Sequence, residues 1–153
     1  MAQESIEFKK NHTEFVQTIC ATQKVYAIKN EEGYATSFSL EMEDENEEPV
    51  EVFCFWSSNE KAALLLKDEW KDFDIDTIDL ATFLENWCVG MNNEGLLIGT
   101  DFDETLNGFE IDPLELMLEI SSELKAKNQT ITLCKFKDIN DMETQVKAIL
   151  EGE

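Results

Sequence analysis

Three observations predict an α+β or mixed α/β fold, with a central sheet of about five or six strands, a hairpin, and helices on at least one face. Apolar patterns of helical and strand period interleave along the 153 residues. Neither an internal repeat nor a break in composition divides the chain, which favours a single domain over residues 1–153. Ten Phe and three Trp, within an apolar fraction of 42%, supply the core. A chain of this length then buries roughly 68–70% of its unfolded surface.

The elements follow in order. Asn11 and Glu14 have capping-box spacing, and Phe15, Val16, Ile19 and Cys20 form one stripe, predicting a first helix from about Asn11 to Ala21 with Phe8 packed beneath it. KVYAIKN and YATSFS read as strands of a hairpin, and Gly33 supplies the positive φ that the short turn needs. LEMEDENEEP, with six acids in 41–48, is expected to be an exposed loop, because burying such a run is prohibitive. VEVFCFW at 50–56 is apolar on both alternations except at Glu51, as a central strand covered on both faces would be. Ser57 and Glu60 predict a helix through about Trp70. Asp79 is a good N-cap for the next helix, with Ile78 and Phe83 at staple positions. Its buried stripe comprises Leu80, Phe83, Leu84, Trp87, Cys88 and Met91. The turn Asn92–Gly95 leads into the strand LLIGT. Beyond it, a helix is expected over Pro113 to about Ala126. A C-terminal extension at 129–153 is read as a strand, QTITLCKF, and a helix begun by Asn140 and Glu143 and ending near Gly152.

GTDFDETLNGFEIDPLE invites comparison with a calcium loop. With Asp103 at position 1, Thr105 and Asn107 take positions 3 and 5 and Gly108 position 6, but position 12 falls on Leu114, where a bidentate glutamate is required. Glu115 misses by one residue, and a strand rather than a helix enters the loop. The EF-hand is rejected. Asp112 as N-cap, Pro113 at N1, Glu115 at N3 and the Ile111–Leu116 staple make the right half of this stretch a helix start instead. Asp101 and Asp103 are expected to support Asx-turns.

Thirty-four acidic against twelve basic residues give a formal net charge of −22. Such a field repels phosphate backbones and anionic membranes, so direct nucleic-acid and membrane binding are not expected and a basic protein is the favoured partner. An acidic mimic of nucleic acid is a further reading, but needs a spaced carboxylate array. The N-terminus lacks a signal-like apolar stretch, and AALLL at 62–66 is too short to span a bilayer. Cys20, Cys54, Cys88 and Cys134 are scattered without a CxxC pair and read as buried, reduced thiols, which together indicate the cytoplasm.

The catalytic inventory is thin. His12, the only histidine, lies at the predicted helix start and is assigned a surface or capping role; a lone histidine excludes His-rich metal sites. No GxSxG, Walker A or GxGxxG pattern occurs. No catalytic residue, metal ligand or cofactor is predicted. Candidate ligand or partner residues are Trp56, at a strand-to-helix junction, with Asp101, Asp103, Asn107 and Glu110; Trp70 and Trp87 are core candidates.

The ordered segments FVQTICATQKVYAIKNEEGYATSFS, FCFWSSNEKAALLLKDEW and IDLATFLENWCVGMNNEGLLIGTDFDETLNGFEIDPLEL resemble an uncharacterised bacterial family, domain of unknown function 2750, over residues 13–120. The resemblance implies a small bacterial domain without an established activity. The family pattern carries a Trp where this chain has Phe102, so packing at that turn is expected to differ. The leading functional expectation is a non-enzymatic, cytoplasmic interaction or regulatory protein, of an immunity-like kind, with an acidic surface. The alternative is a small-molecule or metal-dependent enzyme using Asp101, Asp103 and Glu110.

Overall fold

The computed structural model describes residues 2–31, 33–43, 47–67, 70–102 and 108–151. The α+β class holds, and the strands divide between two sheets. Helix α1 (Ala2–Thr22) leads into strand β1 (Lys24–Asn30) and the short β2 (Gly33–Tyr34). Next come β3 (Thr36–Glu43), β4 (Pro49–Phe55), α2 (Asn59–Ala63) and β5 (Asp74–Asp79). A helical run follows as α3 (Leu80–Thr82), a π-helical segment (Phe83–Cys88) and α4 (Val89–Asn93). The chain ends with β6 (Leu97–Thr100), β7 (Phe109–Ile111), α5 (Pro113–Ala126) and α6 (Ile139–Leu150). No helix among the described residues is long and apolar enough to cross a membrane.

One sheet has the order β2-β1-β5, all antiparallel; the other has the order β3-β4-β6-β7, in which β4 and β6 are parallel. Tyr26 and Trp56 exchange both backbone hydrogen bonds, at 2.9 and 2.7 Å, and so join the two sheets. The expected hairpin exists as β1 and β2, with Gly33 at φ +141°, but the chain then leaves the first sheet and continues as β3 in the second. β4 is central, as its double-sided apolarity predicts. Phe55 faces one core cluster with Ile98, while Val52 and Cys54 face another with Leu97. The first cluster lies under α1, α5 and the π-helical segment; the second gathers Trp56, Phe102, Leu65 and Trp70.

Several boundaries depart from the sequence expectation. α1 starts nine residues before Asn11, since residues 2–10 contain neither Gly nor Pro and propagate the helix. The acidic stretch is not all loop, because β3 reaches Glu43, which pairs with Pro49. The helix expected from Ser57 to Trp70 is only five residues long and is capped by Ser58, whose Oγ accepts from Lys61 N at 3.1 Å. Asp79 stands at the N-cap position of α3 but makes no side-chain cap bond; its carboxylate meets Lys24 Nζ at 2.5 Å. β5 is not among the elements expected from the sequence, because its three aspartates oppose strand propensity. Lys24 meets the Asp79 carboxylate, and Lys29 and the Tyr34 hydroxyl meet that of Asp76, which offsets part of the cost. Residues 129–136 form no strand, and 134–136 turn onto Glu85, as described below.

Candidate functional site

The turn after β6 begins with Asp101 in the left-handed region, φ +48°. Its N–H donates to Phe55 O at 2.9 Å, carrying the β4–β6 ladder one step past the strand. Its carboxylate accepts from Ser57 N (2.8 Å), Ser57 Oγ (3.0 Å) and Lys61 Nζ (3.0 Å), and the side chain is 3% exposed. This corrects the Asx-turn expectation for Asp101, because the carboxylate bonds across 44 residues of sequence rather than to its own turn. The engagement of Ser57 also explains why the α2 cap moves on to Ser58. Trp56 Nε1 donates to Phe102 O at 3.0 Å, and the Phe102 ring is buried against Gly99 and Gly108.

Trp56 and Asp101 therefore meet at one junction, where they tie the turn to the end of β4. Asp103 and Asn107 lie outside the described residues, as does the rest of the 103–107 stretch. Glu110 sits on β7 opposite Gly99. Together with the larger effect of burial, its negative charge pushes the Cys54 thiol up to about 12.

The histidine stands elsewhere. Because α1 starts early, His12 is mid-helix and 4% exposed, which corrects its assignment to a surface or capping role. Extending the apolar stripe of Phe15, Val16 and Ile19 one turn towards the N-terminus lands on His12, and this was the legible signal. Nδ1 lies 2.8 Å from Thr100 Oγ1 on β6, and Nε2 lies 2.5 Å from Glu119 Oε1 on α5. An ionised carboxylate can only accept, so Nε2–H donates to Glu119, and Nδ1 shares a hydrogen bond with the Thr100 hydroxyl, which can donate or accept. The imidazole stacks on Phe109, centroids 4.3 Å apart and planes 24° from parallel. Thr100 is 1% exposed and Glu119 45% by side chain, so the chain of bonds runs from the core to an open carboxylate.

That carboxylate borders a cleft of about 490 Å³ between α1 and α5. Val16, Phe109 and Leu118 give it apolar surface; Glu119 and Glu123, one helical turn apart on α5, give it negative charge. Lys9 is the one Lys or Arg that lines it among the described residues. The volume falls within the range of about 300–1,000 Å³ usual for small-molecule sites.

The family model described as "Protein of unknown function (DUF2750)" matches residues 12–120, well over half of the chain. The chain belongs to the DUF2750 family. No curated protein and no solved structure matches it. The DUF2750 match takes in Trp56, Asp101, His12, Thr100, Phe109 and Glu119, so the turn junction and the bonded histidine chain both lie within the family region. Glu123 and the C-terminal segment lie beyond it.

A buried carboxylate fastens that segment to the DUF2750 region. Glu85, 5% exposed on the π-helical segment, accepts from the N–H groups of Cys134 (2.7 Å), Lys135 and Phe136 (3.2 Å). Three consecutive N–H groups turned onto one carboxylate are incompatible with strand geometry, so residues 134–136 do not extend a sheet. The wide turn of a π-helix shifts side chains off the 3.6-residue period, so Glu85 points inward at a position where helical periodicity does not place it.

Proposed function

We propose that this DUF2750 protein is a non-enzymatic interaction or regulatory protein, immunity-like in kind and at work in a bacterial cytoplasm, that engages a basic protein partner. The observation that carries this reading is the formal charge of −22 on 153 residues. A field of that size accelerates encounter with a cationic surface and discourages association with nucleic acid or anionic lipid. The scattered cysteines are compatible with a reducing compartment. The alternative, an enzyme using Asp101, Asp103 and Glu110, has less support, because three donors already engage the Asp101 carboxylate.

Affinity capture from the native host at moderate and high salt tests the proposal, followed by titration of the purified partner. The expected result is one basic protein whose affinity falls steeply with ionic strength and with charge reversal of surface acids. No specific partner, or binding indifferent to charge reversal, would overturn the electrostatic reading. Turnover lost on replacing Asp101 in a protein that remains folded would support the enzyme instead.

A further inference from the structure

We infer that the α1–α5 cleft binds a small organic cation, an ammonium or guanidinium group on a short apolar stem. Four features converge there. The first is an anchor held in place. Glu119 is fixed through Oε1 by His12 Nε2, and His12 is fixed in turn by Thr100. With the side chain 45% exposed, Oε2 is left for a ligand. A carboxylate whose geometry is set in advance loses little freedom when it binds a cation, and a charge-assisted hydrogen bond is stronger than a neutral one.

The second feature is Glu123, one turn along α5, which lines the same cleft. Its negative charge reaches inward far enough to raise the Cys20 thiol, although burial is the larger cause there. The third is the partly buried ring of Phe109, which stacks on His12 and lines the cleft with apolar surface for the hydrocarbon stem. Val16 and Leu118 extend that apolar surface. The fourth is the sign of the whole molecule. At −22, and with Glu119 and Glu123 outnumbering Lys9 in the cleft lining, it concentrates cations and repels anions, so an anionic ligand of the same size is disfavoured.

The size matches as well, since about 490 Å³ accommodates a small molecule. The His12–Glu119 pair also separates this cleft from an ordinary acidic surface. A surface carboxylate moves freely with its solvent, whereas this one is tied through a buried ring to a strand of the sheet.

The test is an NMR titration of the full chain with n-pentylamine, in salt of roughly 0.15 M so that long-range attraction is screened beyond about 8 Å. The comparators are 1-pentanol and pentanoate, which keep the stem and change the head. Saturable shifts confined to cleft residues such as His12, Val16 and Leu118 are expected with the amine alone. Glu123→Gln is expected to weaken binding about tenfold, the cost of one hydrogen bond to a charged group. The His12 imidazole signals should stay in place in that variant, because the Glu119 bond is untouched. Glu119→Gln should weaken binding at least as much; if it fails to fold, Glu123→Gln decides. Unsaturable shifts spread over the acidic surface would overturn the inference. So would equal affinity for 1-pentanol, or a Glu123→Gln affinity within twofold of the parent. The cleft needs no protein partner, so failure to capture a basic protein leaves this test unaffected.

Discussion

Phe102 occupies the space that a side chain on Gly99 or Gly108 would need. A Cβ at Gly99 would lie 2.5 Å from Phe102 Cε1 and 2.9 Å from Val52 Cγ1, and one at Gly108 would lie 2.5 Å from Phe102 Cδ1. The ring lies between the Gly99 and Gly108 backbones, and Val52 closes the space beside Gly99. Gly99→Ala should therefore destabilise by about 1–3 kcal/mol through overpacking, read as a lower urea midpoint with unchanged slope. Cysteines give a second prediction at this scale. Burial pushes the Cys20 and Cys54 thiols up to about 12 and raises Cys88 as well, while Cys134 is exposed. In native protein at neutral pH a thiol reagent should modify Cys134 alone, and all four only after unfolding. Rapid native modification of Cys54 would contradict the packing of the second core cluster. The sequence reading placed all four cysteines inside; Cys134 escapes because its segment is held by backbone bonds to Glu85 rather than folded into a sheet.

The start of α5 is the helix boundary most legible in the sequence, because its cap and its proline are local. Asp112 accepts from Leu114 N at 2.9 Å with Pro113 at N1, as the spacing predicted. Asp112→Ala should cost about 1 kcal/mol, and an unchanged melting temperature would count against the cap. α6 was legible in outline, although its cap is Asp138, which accepts from Asp141 N at 2.8 Å, rather than Asn140. Glu143 clips α6 to α5 instead, accepting from Lys125 Nζ at 2.8 Å and Ser121 Oγ at 2.7 Å. The Lys125 bond first, then the Ser121 bond, hold its carboxyl below the usual 4.5. A depressed folded-state value means that the stabilisation is present above about 4.5 and is lost as the pH falls through the lowered value. Acidification below pH 4.5 should thus loosen α6, and Glu143→Gln should reduce that acid sensitivity in a melting-temperature series. Equal acid slopes in parent and variant would show that the clip does not contribute.

Charge sets the behaviour of the whole molecule. With 34 acids against 12 bases, self-repulsion acts across the entire surface, whereas pairs such as Lys24–Asp79 and Lys125–Glu143 act locally. Screening weakens both, but exposed pairs contribute little each. The melting temperature should therefore rise as salt increases from roughly 0.01 M to 0.15 M, where the screening length shortens from about 30 Å to about 8 Å. A fall would mean that surface ion pairs outweigh the repulsion. The balance of the two sheets is also a property of this scale. β4 pairs with β3 on one side and β6 on the other, and among the described residues the Tyr26–Trp56 bridge carries β1 across to it.

By itself the sequence determined the α+β class, the double-sided burial of β4, the starts of α5 and the helical run at Leu80, and the acidity of the molecule. Each rests on local periodicity, capping or composition, which need no knowledge of what lies across space. Tertiary structure alone decided that Asp101 serves Ser57 and Lys61, that Glu85 replaces a strand with a clasp, and that the chain divides its strands between two sheets. It also decided that the lone histidine joins Thr100 to Glu119 across separations of 88 and 107 residues. A buried polar group must find its partner wherever the fold brings one, and sequence spacing carries no record of that meeting.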